Sequence, residues 1–292
     1  TQGGSLDMSN LIIRQSYANA GFARLTSQAA IPASLTLVNC TLTGFEGSGV
    51  GIDGEWYVTI SLQNVVFSNF TGGWWDKGIA LRIIGGSNDM YSNANWTALM
   101  LDNVTFVDLQ TRSGDNSYVV LLDNIWWDRG VGDPTSIMTV TTKNTVSFIN
   151  NYASAALDAS GSFERYIRFV GDGDWLFAKH TSPTHLGLNS VFTGSHVQFT
   201  GNITMTFQNV SSPVGALDFG IKSTVDLQSL HLIGNNNPTP FDHYGKENGA
   251  WIITNDCNVS IRENLVVSNN LGHGIVITHG ANISVGNSVI IQ

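Results

Sequence analysis

The chain has 292 residues, only 12% of them charged, and a formal charge of −9. That balance leaves no basic patch for nucleic acid or an anionic membrane surface, and no apolar run is long enough to span a bilayer. Its two cysteines, Cys40 and Cys257, make neither a disulfide framework nor a metal-ligand cluster.

In chain order, the first clear strand centres on Leu37-Val38-Asn39-Cys40, and the pattern returns at Leu62-Gln63-Asn64-Val65, Leu101-Asp102-Asn103-Val104 and Leu122-Asp123-Asn124-Ile125. Looser copies centre on Asn144, Asn209, Asn258 and Asn282, giving successive gaps of 25, 39, 21, 20, 65, 49 and 24 residues. Around each Asn, Val, Ile, Thr and Phe alternate with polar residues, without helical periodicity. A short-stranded unit with Asn or Gly at its bends predicts an all-β solenoid of parallel coils. Asn tolerates the left-handed backbone of a sharp bend, and its amide can bond the amides above and below. Asn39, Asn64, Asn103 and Asn124 are therefore expected to stack as an inward-pointing ladder.

About twelve coils at roughly 4.8 Å each would give a rod on the order of 60 Å long, interrupted by loop insertions. Cys40 takes a slot filled elsewhere by Val or Ile, so it should be buried and out of reach of Cys257. Residues 160–200 fit the repeat poorly and are expected to form an irregular rung or a protruding insertion. The whole of 1–292 reads as one β-helix within a longer chain.

Two stretches carry a resemblance. "NVSIRENLVVSNNLGHGIVITHGANISVGNSVIIQ" (258–292) resembles the right-handed parallel β-helix repeats of pectin-degrading enzymes and many surface proteins. "VSFINNYASAAL" (146–157) resembles the Phe-x-x-Asn motif of autotransporter and polymorphic outer-membrane-protein passengers, whose second motif, Gly-Gly-Ala-Ile, this chain lacks. The resemblance implies a right-handed parallel β-helix located outside the cell or on its surface.

Several residues are candidate sites. Eight asparagines, Asn39, Asn69, Asn95, Asn103, Asn202, Asn209, Asn258 and Asn282, begin Asn-x-Ser/Thr sequons. Of these Asn69, Asn95 and Asn202 lie off the repeat register and are the expected glycan acceptors. The near-identical "GGWWDKG" and "IWWDRG" place Trp74, Trp75, Trp126 and Trp127 where one ring of each pair could face outward to stack on sugars or anchor a protomer. The alternative is that both pairs pack beneath insertions. Asp172 and Asp174 of "GDGDW" read as a plain turn, since nothing near them completes a calcium shell.

All seven histidines follow residue 179, with no zinc spacing. Asp242, His243, Lys246, Glu247, Asp256 and His273 fall close together in sequence. Asn255-Asp256 and Gly272-His273-Gly274 resemble two motifs of the polygalacturonase site, but the Asp-Asp pair between them is missing. No catalytic set, metal or cofactor is predicted. The expected role is structural or adhesive, with copies stacking end to end because no amphipathic helix is available to cap the open strand edges. A polysaccharide lyase or hydrolase, or a carbohydrate-binding module built on the tryptophans, are the alternatives.

Overall fold

The computed structural model describes residues 4–14, 21–26, 32–47, 50–72, 77–85, 97–111, 117–124, 137–161, 165–182, 190–236, 251–253, 256–271, 275–277 and 280–292. Among them every regular element is a strand, and strands from successive coils pair in parallel. The chain is the all-β parallel solenoid that its repeat predicts. Each coil gives a strand to a long sheet, then a short pairing or single bridge to a narrow sheet, then a strand to a nine-stranded second sheet. Among the described residues the path through the long sheet crosses ten strands. Inserted segments lengthen the coils, as in the 39 residues from Asn64 to Asn103.

The strands follow from alternation that stops at one point and restarts. In Ala33–Thr43, Val58–Ser68 and Ala98–Val107, apolar residues face inward at every second position up to Leu37, Leu62 and Leu101. Asn39, Asn64 and Asn103 then take left-handed φ angles of 53°, 51° and 54°. The bend brings Cys40, Val65 and Val104, each immediately after its Asn, back inside. A second column of left-handed residues turns the chain into the narrow sheet: Gly44, Asn69, Asp108, Asn150, Lys179, Asn209, Gly234 and Asn269. Their N–H groups bond carbonyls of the next coil, as Asn69 does to Val107 at 3.2 Å and Asp108 to Ile149 at 3.1 Å. Trp56, His196, Lys222, Asp256 and Gly280 turn left-handed between the second sheet and the long one.

Like residues stack in the interior. Phe67, Phe106, Phe148, Phe177 and Phe207 lie one per coil, with successive ring centroids 5.0, 4.8, 4.9 and 4.5 Å apart. Phe169 and Phe199 form a second stack at 4.4 Å, edged by Phe192, Phe219 and Trp175. Buried amides also fill the wall at the second bend. Asn151 donates to the Phe106 carbonyl and accepts from the Leu109 N–H, tying its coil to the one before, and Asn235 does the same with Phe207 and Val210.

Part of residues 160–200 is described. Tyr166–Ala178 is a regular strand whose 13 residues all pair with Ile137–Ile149. Gly171 and Gly201, at φ 127° and 115°, lie in register with Thr142, two residues before the level of the Asn144 bend, and a β-carbon on either would collide with the backbone of the coil before. In these two coils the positive-φ residue thus sits two positions earlier than the Asn of the coils before.

The Asn bend gives a direct test. Asn64→Ala loses the side-chain bonds and also places a β-branched-free but strained residue at φ 51°, whereas Asn64→Gly loses the bonds alone. Chemical denaturation should show Ala destabilising more than Gly by about 1 kcal/mol. Equal effects would mean that the backbone conformation contributes nothing.

Candidate functional site

The outer skin is where this interior becomes available to partners. Asn39 donates from Nδ2 to Asn10 Oδ1 at 3.1 Å, Asn64 to Asn39 at 2.9 Å and Asn103 to Asn64 at 2.9 Å. This ladder is solvent-exposed, not inward as expected, because each Asn prolongs the outward side begun by Val38, Gln63 or Asp102 before the chain turns Cys40, Val65 or Val104 inward. It stops at Asn144, whose amide reaches Asp102 at 2.6 Å, since Ile137–Ile149 carries an extra residue at the bend and shifts register.

Asn124 is not in the ladder. It ends Ser117–Asn124 of the second sheet, where Asp123 faces out and Asn124 faces in. It is buried and donates to the Tyr166 carbonyl at 3.0 Å, with its Oδ1 filling the space over Gly85.

Beside the ladder the long sheet is nearly free of charge. Ala33–Thr43 and Val58–Ser68 contain no ionisable side chain except the Cys40 thiol, and Asp102 and Lys143 lie opposite one another on the next two strands. Ser34, Thr59 and Thr139 share one outward register line, and Thr36, Ser61 and Thr141 another.

The second sheet has a different outer face. Arg24, Asp53, Arg82, Leu121, Asp158, Thr193 and Asp218 follow one register line across seven strands. Arg82 Nε contacts Asp53 at 2.7 Å and its Nη2 contacts Glu55 at 2.6 Å, all three side chains being mostly covered. Arg24, two coils away from Arg82, approaches Glu55 at 3.2 Å but is 67% exposed. Removing Arg82 leaves two carboxylates facing each other in partial burial, so Arg82→Met should cost about 1–3 kcal/mol. Arg24→Ala should stay within about 0.5 kcal/mol, because water screens an exposed pair. Urea titration of both variants checks the contrast.

Farther along, Ser160 Oγ donates to Asp158 Oδ1 at 2.6 Å, and Asp158 is 7% exposed. Asp123 pairs in register with Ser160, which makes it the diagonal neighbour of Asp158, and Asp218 lies two strands beyond. Sequence reasoning missed this acidic face. Its members are 35 and 60 residues apart, linked only by alternation within strands whose pairing was unknown.

Other predicted residues fall elsewhere. Trp74, Trp75, Trp126, Trp127 and Asn95, with Asp242, His243, Lys246, Glu247, Asn255 and His273, lie outside the described residues. Asp256 is an exposed bend residue at φ 49°. Asp172 and Asp174 are exposed at a strand bend, and among the described residues no group of three His, Cys, Asp or Glu could hold a metal. Asn69 and Asn202 are both exposed. Cys40 and Cys257 are buried free thiols, and burial, helped by Asp218, pushes the Cys257 thiol up to about 12. His180 is fully buried with Nε2 3.0 Å from the Ala153 carbonyl, and desolvation lowers it to about 4.

Among the described residues no helix is long and apolar enough to cross a membrane. No protein-family profile matches the chain, and neither a curated protein nor a solved structure shows significant similarity to it.

Proposed function

We propose that this chain is an extracellular or cell-surface β-helix with a structural or adhesive role, like the surface passengers its repeats resemble. The observation behind this reading is the exposed amide ladder beside an almost uncharged, hydroxyl-rich sheet. Such a skin satisfies its own hydrogen bonds from coil to coil and presents short, neutral groups, which suits a long surface element that contacts many neighbours weakly. End-to-end stacking belongs to the same proposal. A parallel solenoid presents open strand edges wherever its coils end, and a further coil from a second copy would cover them. Electron microscopy across a concentration series tests it. Filaments that lengthen with concentration support stacking, and uniform short particles at every concentration reject it.

A second reading has its own support. Asp123 and Asp158 are diagonal neighbours on adjacent parallel strands, and inverting glycoside hydrolysis uses two carboxyls roughly 6.5–9.5 Å apart. Asp158, covered and hydrogen-bonded to Ser160, would act on a polysaccharide laid across the second sheet. Reducing-end release from a panel of neutral and acidic polysaccharides, abolished by Asp158→Asn, is the outcome that favours this reading. An inert protein ends it.

A further inference from the structure

We propose that Asn202, Asn209 and Asn258 are N-glycan acceptors, and that Asn39, Asn69, Asn103 and Asn282 are not, although all seven start sequons. The inference rests on the extracellular reading above. The seven side chains are exposed, so exposure does not separate them. Their amide nitrogens do. Asn39 and Asn103 donate from Nδ2 to the ladder, Asn282 donates to Asn258 at 3.2 Å, and Asn69 donates to Thr43 Oγ1 at 3.5 Å. In Asn202 and Asn258 it is the carbonyl oxygen that is hydrogen-bonded. Asn202 Oδ1 accepts from Arg262 Nη1 at 3.1 Å, and Asn258 Oδ1 accepts from Asn282. Asn209 Oδ1 sits over Gly234, where a β-carbon would come within 2.5 Å of it. A side chain at Gly234, in the second-bend column, would crowd the Asn209 amide.

Arg262 fixes the orientation of Asn202 from outside its coil. Its guanidinium also contacts Asp226 at 3.3 Å and the Gly201 carbonyl, clasping three coils. In each acceptor the middle sequon residue, Ile203, Val210 or Val259, is buried, which anchors the backbone while the Asn faces water.

Nδ2 carries two hydrogens, the sugar replaces one of them, and its ring must find room beside the nitrogen. Nδ2 attacks C1 of a lipid-linked oligosaccharide and the new N–C1 bond forms. The C1–O bond to the lipid pyrophosphate breaks, and Nδ2 gives up one proton as the lipid pyrophosphate leaves. The product bears a sugar ring on Nδ2. At Asn39 or Asn103 that ring would displace the amide of the adjacent coil, about 4.8 Å away. At Asn202, Asn209 and Asn258 it costs no cross-coil bond.

The full 292-residue chain, secreted from a eukaryotic cell behind a cleavable signal, decides the matter by peptide mapping after enzymatic glycan release. The expected pattern is occupancy at Asn202, Asn209 and Asn258 and none at Asn39, Asn69, Asn103 or Asn282. Thr204→Ala, Ser211→Ala and Ser260→Ala keep every asparagine and should each remove one glycan. Thr41→Ala and Thr105→Ala should leave the count unchanged. Occupancy at Asn39 or Asn103 in folded, secreted protein, or bare nitrogens at the three proposed sites, overturns the assignment. Failure of the extracellular reading would look different: surface labelling of the source cells would miss the protein while the recombinant pattern still held.

Discussion

Phe177→Ala lowers the unfolding free energy by about 3–5 kcal/mol. Phe177 is wholly buried and stacks on Phe148 at 4.9 Å and on Phe207 at 4.5 Å, with interplanar angles of 5° and 3°. It also meets Trp175 at a tilt and Phe192 edgewise. Truncation leaves a void that backbone paired on both sides cannot close, because Leu176 and Ala178 are held in register by two neighbouring strands. The same column ends in Leu42 before Phe67 and Leu232 after Phe207, so leucine has a precedent there. Phe177→Leu should therefore cost well under half as much. Guanidinium denaturation followed by tryptophan fluorescence and by far-ultraviolet dichroism measures both. Equal stability of Phe177→Ala and the parent would show that the aromatic column is not what holds the coils together.

Acid weakens the protein through His180, and His180→Leu removes much of that weakness. In the folded chain this imidazole is buried and neutral, with its pKa depressed to about 4. The unfolded chain takes up the proton near 6.5, so between those values only the unfolded state is protonated. Stability is thus unaffected above about pH 6.5, falls as the pH drops toward 4, and loses nothing further from this group below that. The size is on the order of 3 kcal/mol at 1.36 kcal/mol per pH unit. His196 and His231 are also lowered chiefly by burial and push in the same direction. Val210 and Leu109 occupy the bend position of His180 in neighbouring coils, so leucine fits the site. The measurement is the difference in unfolding free energy between pH 7 and pH 4, parent against His180→Leu. An unchanged difference would place the acid sensitivity elsewhere.

Much of the architecture was legible because one bend keeps one residue type. Asn39, Asn64 and Asn103 share the left-handed conformation and are all preceded by an inward Leu, so the repeat could be read by eye. Asn124 shows the limit of that reading. Leu101-Asp102-Asn103 and Leu122-Asp123-Asn124 are the same three residues, yet one triplet bends the long sheet and the other runs straight in the second. Strand pairing decided between them, and pairing is not written locally. The second bend was invisible for the opposite reason. Gly, Asn, Asp and Lys all serve there, because that turn asks only for a left-handed backbone whose N–H can reach the next coil. The acidic face of the second sheet is similarly non-local, since Asp123, Asp158 and Asp218 meet only after the coils are stacked.

The backbone bonds between coils, the exposed amides and the phenyl column all point along the same axis. A load that bends the rod must stretch many of these contacts at once and meets high stiffness. Tension applied to the two termini instead peels one coil from the next, breaking contacts a few at a time. The molecule is therefore built to resist flexing and crushing, while a steady pull on its ends would unwind it like thread from a spool.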